Sequence, residues 1–281
     1  MFDQAQSLRE LVGKRDEVRI ISVASGKGGV GKSSISVNLA IALSRLGVRP
    51  LVVDTDFALA NVDIMLGVTS RYDVSYFLRG EKSLNDIVQL GHEGVHFISG
   101  GSGVNALLNM GRDQLTQLMT AIINLDTPID IIILDTGAGI NENLLQMILT
   151  STETAVITTP EPTAILDAYA LVKTIVKRDS SHPLHVIINK CESMKEANRV
   201  QNGFMEVVGR HLGKSINPLG LITFDLCVPL SIKRQLPIMV SDPNCQTSRE
   251  INQIARVLID LPREEKSDGL LSRIFTRITG E

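Results

Sequence analysis

The sequence contains no tryptophan, and aromatic residues occupy only 4% of its 281 positions. Its core must therefore be built from aliphatic side chains, which dominate the 43% of residues that are hydrophobic. The three cysteines form no CxxC pair, which argues against a disulfide framework and suits a reducing compartment. An excess of charge of one sign is also missing, because 28 basic residues nearly balance 31 acidic ones to give a net charge of −3. The composition therefore offers no overall attraction to nucleic acid or to membranes.

Long hydrophobic runs are absent as well. The longest aliphatic runs, such as Ile131–Leu134, are of strand length and far too short to cross a membrane. The first ten residues include Asp3 and Glu10 and contain no apolar stretch, so they do not resemble a signal peptide. We therefore expect a cytoplasmic protein whose core is large enough to need neither a structural metal nor a disulfide.

Short β-branched segments alternate with longer segments of helical period. Strands are predicted at Val18–Ala24, Val48–Val53, Val95–Ser99, Ile129–Asp135, Thr154–Thr159, Leu184–Asn189 and Leu219–Thr223. Helices are predicted at Ser33–Leu46, Arg112–Leu125, Asn141–Ser151, Thr163–Lys177 and Glu192–Leu212. Strands that are apolar at consecutive positions are buried on both faces. The pattern predicts an α/β fold with a mainly parallel, twisted sheet of about seven or eight strands covered by helices on both faces.

Three regions are predicted along the chain. Residues 1–17 combine an amphipathic turn with a charged stretch, and residues 18–261 contain the predicted α/β domain. Residues 262–281 begin with a charged hinge and end in a short amphipathic segment.

A glycine-rich loop directly follows the first predicted strand and precedes a predicted helix. Its residues are Gly26, Lys27, Gly28, Gly29, Val30, Gly31, Lys32, Ser33 and Ser34, which satisfy G-x-x-x-x-G-K-[ST]. Such a loop directs backbone N–H groups and a helix N-terminus at phosphate oxygens. Lys32 is then placed to reach the β- and γ-phosphates, and Ser33 together with Asp135 to hold Mg²⁺. We interpret all nine residues as a nucleotide-binding loop.

The same stretch also matches the dinucleotide motif G-x-G-x-x-G through Gly26, Gly28 and Gly31, and Asp54 sits where a ribose-binding acid would. A dinucleotide loop has no use for Lys32 followed by Ser33, nor for a distant metal-binding carboxylate. Asp135 provides such a carboxylate at the end of an apolar strand. The phosphate-loop interpretation is therefore preferred.

A literal H-E-x-x-H begins at His92 and ends at His96. Zinc binding by this motif requires both histidines on one helix face. Gly91 and Gly94 interrupt any such helix, so a chance match is expected.

Lys27, placed directly after the first glycine of the loop, gives K-G-G-x-G-K-[ST]. This pattern resembles the deviant Walker A loop of the MinD/ParA family of ATPases. The resemblance extends from Arg19 to Asp260, and further segments match the family in order: Asp54–Asp63, Asp135–Ile140, Thr159–Thr163, Ile188–Lys190 and Phe224–Asp225. It implies a MinD-like P-loop NTPase fold with ATP and Mg²⁺ as cofactors.

The resemblance also implies roles for the catalytic residues. Lys27 would reach across a dimer interface to the partner's phosphates, Lys32 would bind phosphates within its own subunit, and Asp56 would position the attacking water. Ser33 and Asp135 would hold Mg²⁺.

Four residues farther along are implied to face the nucleotide. Asn189 would hydrogen-bond the adenine, Phe224 and Asp225 would frame the ring, and Glu161 would contact the nucleotide or the partner subunit. For Glu161 and Asp225, ordinary loop capping is the alternative.

The N-terminal segment carries a second, more specific resemblance. Asp3, Gln4, Ala5, Leu8 and Arg9 match D-Q-A-x-x-L-R, which resembles the activator segment of the FlhG (FleN, YlxH) branch of the family. This implies a role in flagellar number or placement by stimulation of FlhF, a GTPase of the signal-recognition-particle type. Flagellar switch proteins and transcription regulators are further candidate partners. A disordered tail without a role is the alternative.

The C-terminal segment has one apolar helical face, formed by Leu270, Leu271, Ile274, Phe275 and Ile278. Arginines lie on the opposite face, which is typical of an interfacial membrane anchor. The alternative is that this segment packs on the domain's own surface.

Together these features predict a cytoplasmic, Mg²⁺-dependent ATPase that cycles between a monomer and an ATP-bound homodimer at the inner face of the membrane. A MinD-type division-site ATPase is the first alternative, but it gives no reason for the D-Q-A-x-x-L-R segment. A ParA-like DNA-partitioning ATPase is the second alternative. No nucleic acid partner is expected, because the chain is near neutral and contains no Lys/Arg cluster.

Overall fold

A computed structural model describes residues 18–56, 60–101 and 112–260. The predicted partner-binding segment at 1–17 and the predicted hinge and membrane helix at 262–281 lie outside the described residues. Residues 57–59 of the segment that resembles the family's Asp54–Asp63 stretch also lie outside them.

The described chain forms one eight-stranded sheet in the order β3-β4-β2-β5-β1-β6-β7-β8. The strands are β1 Arg19–Ser25, β2 Pro50–Thr55, β3 Gln89–Leu90, β4 His96–Ile98, β5 Ile131–Ala138, β6 Glu153–Thr158, β7 Leu184–Cys191 and β8 Asn217–Thr223. Every neighbouring pair is parallel except β3 and β4. The predicted mainly parallel sheet of seven or eight strands is confirmed. The sequence pattern did not predict β3, a two-residue edge strand.

Helices and a short 3-10 turn connect the strands. They are α1 Lys32–Arg45, α2 Val62–Leu66, α3 Val74–Leu78, α4 Leu84–Ile87, the 3-10 turn His92–Gly94, α5 Arg112–Ile123, α6 Glu142–Thr150, α7 Pro162–Arg178, α8 Met194–Leu212, α9 Cys227–Lys233, α10 Ile238–Ser241 and α11 Gln246–Asp260. The five predicted helices are confirmed with small differences at their ends. Among the described residues, no helix combines the length and the apolar character needed to span a bilayer.

Successive strand residues pack into different layers, as a sheet covered on both faces requires. In β1, Ile21 and Val23 face a core layer shared with α1 and α11, whereas Ile20 and Ala24 face the opposite side. On that opposite side, α3, α4 and α5 cover one half of the sheet, and α6, α7 and α8 cover the other. The prediction of helices on both faces is therefore confirmed.

Helix α11 is the largest element that the sequence analysis missed. Its buried side chains include Ile251, Ile254, Ala255 and Leu258, which follow a helical spacing that the sequence does display. The helix packs against α1 and β8. A Cβ at Gly220 of β8 would lie 2.2 Å from Cγ1 of Ile254, so glycine is what allows α11 to approach the strand.

A buried ionic cluster joins the amino ends of three neighbouring strands. Arg19 forms a two-pronged ion pair with Glu153, and its guanidinium also donates to the carbonyl of Leu258 in α11. His185 Nε2 lies 2.7 Å from Glu153 Oε2, which also accepts a hydrogen bond from Arg19. Burial alone would raise the pKa of Glu153, but the hydrogen bonds from Arg19 and His185 outweigh it and lower the pKa to about 2. The cluster therefore ties β1, β6, β7 and α11 together.

We predict that replacing Glu153 with glutamine destabilises the protein by about 3 kcal/mol, because lowering the pKa of this carboxyl group from 4.5 to about 2 corresponds to that free energy. The folded-state pKa is depressed, so this stabilisation is present above pH 4.5 and is lost as the pH falls from 4.5 toward 2. Urea unfolding of the wild type and of Glu153→Gln across this pH range measures the difference.

Glu142→Gln is the matched control, because Glu142 forms an exposed ion pair with Arg178 and should contribute little. A difference between wild type and Glu153→Gln that stays constant from pH 7 to pH 3 would contradict the assigned role of the buried carboxylate.

Candidate functional site

The carboxyl ends of seven parallel strands meet at one edge of the sheet, opposite the Arg19–Glu153 cluster. Strand β1 lies between β5 and β6, and the glycine-rich loop follows β1 directly. The segments after β2, β5, β6, β7 and β8 therefore all open toward this loop. Every predicted site residue within the described part of the chain lies at this edge.

Backbone conformation or a close contact explains why glycine occupies several positions of the loop. Gly29 and Gly31 have φ angles of 75° and 99°, in the left-handed region that disfavours other residues. Gly31 is the N-cap of α1, and Gly28 lies beside Ala138 of β5. A Cβ at Gly26 would lie 2.2 Å from the carbonyl oxygen of Asp167, so the loop passes directly against α7.

Lys32, Ser33 and Ser34 form the first turn of α1, where free backbone N–H groups and the helix dipole favour an anion. Lys32 is buried, at 8% exposure, although it is a lysine. Val30 is buried just before this turn. The predicted phosphate loop thus has the conformation and the buried cation that phosphate binding requires.

Asp135 lies fully buried in β5 beside the start of α1. Its Oδ1 accepts a hydrogen bond from Ser36 Oγ at 2.9 Å, and the hydroxyl of Ser33 lies against the same carboxyl group. Among the described residues, its Oδ2 has no hydrogen-bond partner. A buried carboxylate oxygen left without a partner beside a serine hydroxyl is a suitable donor set for Mg²⁺, so the residues fit the predicted ion.

The pKa of Asp135 reflects its burial. Burial raises it to about 6, against the opposing effects of the Ser33 hydroxyl and the Lys32 charge. A divalent cation would favour the ionised form of this carboxyl group.

Asp54 organises the segment that follows β2. Its Oδ1 accepts the backbone N–H of Asp56 at 3.0 Å, and its Oδ2 accepts those of Asn61 and Val62 at 2.8 and 3.1 Å. Burial, followed by the charge of Asp135, raises the pKa of Asp54 to about 8 although these N–H groups act in the opposite direction. One carboxyl group therefore holds both ends of the segment that carries Asp56.

The side chain of Asp56, predicted to position the attacking water, lies at the same edge. A Cβ on Gly137 would lie 3.7 Å from the Asp56 carboxyl carbon, so the carboxyl group packs against the segment that follows Asp135. The charge of Asp56 also contributes to the raised pKa of Asp135. The structure thus brings together Asp56, Asp135 and the start of α1.

Lys27 differs from Lys32 in its surroundings. Its Nζ donates to Glu161 Oε2 at 2.7 Å and to Thr163 Oγ1 at 3.0 Å, and its side chain is 39% exposed. Glu161 precedes α7 but makes no side-chain cap to it, so the capping alternative is wrong for this residue. The proximity of Lys27 lowers the pKa of Glu161.

Asn189 lies at the end of β7 with its amide turned toward the loop. Its Nδ2 donates to the carbonyl of Val30 at 2.7 Å. The following residue, Lys190, has a positive φ of 59° and donates from Nζ to the carbonyl of Gly29 at 2.7 Å. The sequence analysis gave Lys190 no role, and the implied contact of Asn189 with adenine stays a prediction.

Phe224 and Asp225 follow β8, three strands from β1. At a strand spacing of ~4.8 Å, β8 lies about 14 Å from β1, the strand that the loop follows. The Phe224 side chain is 59% exposed. Asp225 accepts the backbone N–H of Cys227 at 2.9 Å and of Thr247 at 3.4 Å, so it has the capping role that was the alternative for it.

The H-E-x-x-H match does not form one helix face. His92 lies in the 3-10 turn and His96 begins β4, as expected from the intervening glycine. Among the site residues that the sequence analysis missed, Ser36 had a usable signal, because it lies one helical turn after Lys32.

Comparisons with known proteins agree with this geometry. The family model ParA, described as NUBPL iron-transfer P-loop NTPase, matches residues 17–259. The antiactivator FleN of Pseudomonas aeruginosa is 30% identical over 267 residues, covering 95% of both chains. The flagellum site-determining protein YlxH of Helicobacter pylori is 32% identical over 247 residues, covering 87% of this chain and 83% of its own.

A solved structure shares the fold. The septum site-determining protein MinD of Pyrococcus horikoshii, complexed with Mg-ADP, has a TM-score of 0.72 at 23% identity and is matched over 86% of this chain and 96% of its own. The chain is an ATPase that belongs to the MinD/ParA family of P-loop NTPases, in the branch that contains FleN and YlxH.

Proposed function

We propose that this ATPase requires Mg²⁺ and cycles between a monomer and an ATP-bound homodimer. In this cycle Lys32 and the N–H groups at the start of α1 bind the phosphates, and Ser33 and Asp135 hold the ion. Mg²⁺ supplies positive charge that stabilises the phosphate oxygens as the terminal bond breaks.

The observation that carries the dimer proposal is the position of Lys27. It belongs to the phosphate loop, yet it extends away to Glu161 and Thr163 and stays exposed, whereas Lys32 is buried. Exposed ion pairs contribute little to stability, so the bond to Glu161 is readily exchanged. Lys27 is thus available to a second subunit, where a cation on the γ-phosphate would act as an arginine finger does.

Asp56 would orient the attacking water, and Asp54 would keep Asp56 in place. The three N–H groups bound by Asp54 come from both ends of the Asp56 segment, so this carboxyl group sets the position of the segment relative to Asp135. Positioning by such a group affects turnover more than nucleotide affinity.

We propose that the biological role is the control of flagellar number or placement through stimulation of an FlhF-type GTPase. The support is the similarity to FleN and YlxH over most of the chain, together with the D-Q-A-x-x-L-R match at Asp3–Arg9. A short segment exposing Leu8 beside Arg9 can dock as a helix in a groove of a partner.

The proposed location is the cytoplasm, with reversible binding to the inner face of the membrane. The apolar face formed by Leu270, Leu271, Ile274, Phe275 and Ile278 is too small for firm binding by one copy, since ordering the segment offsets much of its insertion free energy. Two copies on one ATP-bound dimer would bind by avidity. ATP would thereby control membrane attachment.

The first prediction about the proposed cycle concerns Lys27. We expect the wild type to be monomeric with ADP and dimeric with ATP, and Asp56→Ala to form a longer-lived ATP-bound dimer. Lys27→Ala should bind ATP with similar affinity but remain monomeric, because it lacks the cation that reaches the partner's phosphates. Light scattering coupled to gel filtration measures these states.

Lys195→Ala is the matched control, since it removes an exposed lysine of α8 and should dimerise like the wild type. Sedimentation with anionic lipid vesicles gives a second readout, in which only ATP-bound wild type should bind and removal of Gly269–Glu281 should abolish binding. An ATP-bound dimer of Lys27→Ala would contradict the proposed role.

The second prediction concerns Asp54. Asp54→Ala should lower kcat by roughly tenfold to a hundredfold with little change in nucleotide affinity, because the Asp56 segment loses its shared acceptor. Asp73→Ala removes a similar carboxyl group that caps α3, and it should cost about 1 kcal/mol of stability without changing turnover. Equal turnover in both variants would refute the positioning role of Asp54.

The third prediction concerns the partner. Removal of residues 1–17 should abolish stimulation of the FlhF-type GTPase while ATP-dependent dimerisation persists. GTP hydrolysis by the purified GTPase, with and without this protein, measures the effect. Full stimulation by the truncated chain would reject the assigned segment, and ATP-dependent retention on DNA would instead favour a partitioning role.

A further inference from the structure

A second cluster of reactive side chains lies where the loop after β8 meets the start of α11. The Asp225 carboxylate and the thiols of Cys227 and Cys245 each offer one ligand atom, and these atoms lie within 4.8 Å of one another. All three side chains are partly buried. Neither the phosphate loop nor the Asp54–Asp135 pair uses any of the three.

The three groups already interact with one another. The Asp225 carboxylate beside the Cys227 thiol, together with burial, raises the thiol's pKa to about 11. The Cys245 thiol donates to Ser248 Oγ at 3.3 Å and lies beside Asp225, whose pKa it helps to lower. The negative charge of Asp242 lies close enough to Cys227 to act in the same direction. A carboxylate between two thiols is an arrangement in which a cation can replace two protons.

Backbone donors fix the positions of these groups. Asp225 accepts the N–H groups of Cys227 and Thr247, and Cys245 Sγ accepts the N–H of Ser248 at 3.4 Å. Bonds of this kind orient ligands in metal sites, because they limit side-chain rotation before the ion binds. Each of these acceptors keeps lone pairs for a further bond.

We propose that Asp225, Cys227 and Cys245 bind one thiophilic divalent cation, Zn²⁺, with a water molecule as fourth ligand. In tetrahedral Zn²⁺ sites the metal–sulfur distance of ~2.3 Å places two sulfurs about 3.8 Å apart. The two sulfurs therefore need to approach each other by no more than about 1 Å. Two sulfur ligands select Zn²⁺ over Mg²⁺, which prefers oxygen donors.

An ion bound at this cluster would link the starts of two helices. Cys227 begins α9, and Cys245 directly precedes α11, which packs against α1 behind the phosphate loop. Binding joins these two helix starts through Asp225 at the end of β8. Because the two thiols must lose their protons, binding weakens as the pH falls.

The test uses the full-length, reduced, nucleotide-free protein, stripped of metal with a chelator and titrated with Co²⁺. We expect one equivalent to bind with a thiolate-to-cobalt charge-transfer band and the visible bands of tetrahedral cobalt, both removed by added Zn²⁺. Cys227→Ser and Cys245→Ser should lose the charge-transfer band at stoichiometric Co²⁺, and Asp225→Asn should weaken binding.

Cys191→Ala is the matched control, since Cys191 is buried in β7 outside the cluster and its variant should keep the band. Thermal unfolding without metal verifies that the serine variants fold, and Zn²⁺ should raise the midpoint of the wild type but not theirs. Absence of a stoichiometric charge-transfer band in the wild type would overturn the proposal. Persistence of the band in both folded serine variants would also overturn it.

Discussion

Two buried carboxyl groups side by side govern the geometry of the functional edge. Asp54 and Asp135 are in-register neighbours on the parallel strands β2 and β5, and each is about 1% exposed. Burial disfavours the charged form of each group, and the charge of Asp135 disfavours it further at Asp54, unless donors or a cation compensate. The donors come from the segment after β2 for Asp54 and from α1 for Asp135. The need to solvate this pair therefore fixes the Asp56 segment and the phosphate loop relative to each other.

The two ends of the parallel strands have different roles, one in stability and one in ligand binding. At the amino ends, Arg19 pairs with Glu153, His185 bonds to the same carboxylate, and Arg19 also donates to a carbonyl of α11. At the carboxyl ends, Asp135 keeps a carboxylate oxygen without a partner among the described residues, and Lys27 bonds only across an exposed surface. The ion-paired end stabilises the fold, whereas the end that carries Asp135 and Lys27 is able to exchange partners for a ligand.

The sequence predicted features that depend on local patterns, but not contacts that depend on the order of the strands in the sheet. The strands, the five main helices and the phosphate loop were predictable because their patterns are local. The loop includes Gly29 and Gly31, whose positive φ angles favour glycine whatever the surrounding structure. The bonds of Asn189 and Lys190 to the loop were not predictable, since they depend on β7 lying two strands from β1. Helix α11 had a readable period but was missed.

The thiol cluster shows the same limit. Cys227 and Cys245 lie 18 positions apart without a metal-ligand spacing, and only the packing of α11 beside the end of β8 brings them to the same carboxylate. Asp225 was singled out from the sequence for a different reason, its match to a nucleotide-side segment. Its observed bonds to backbone N–H groups explain instead why the loop after β8 holds its shape.

Three lysines around one loop show why residue type alone does not assign a role. Lys32 is buried at the start of α1, Lys190 donates to the carbonyl of Gly29, and Lys27 is exposed and bonded to Glu161. A buried cation is stable only when an anion compensates its charge, and here a bound phosphate would supply that anion. An exposed lysine loses little free energy when it exchanges one ion-pair partner for another. Lys32 is thus suited to a phosphate of its own subunit and Lys27 to one presented by another. In the proposed cycle, the loop would therefore respond both to bound nucleotide, through Lys32, and to a second copy of the chain, through Lys27.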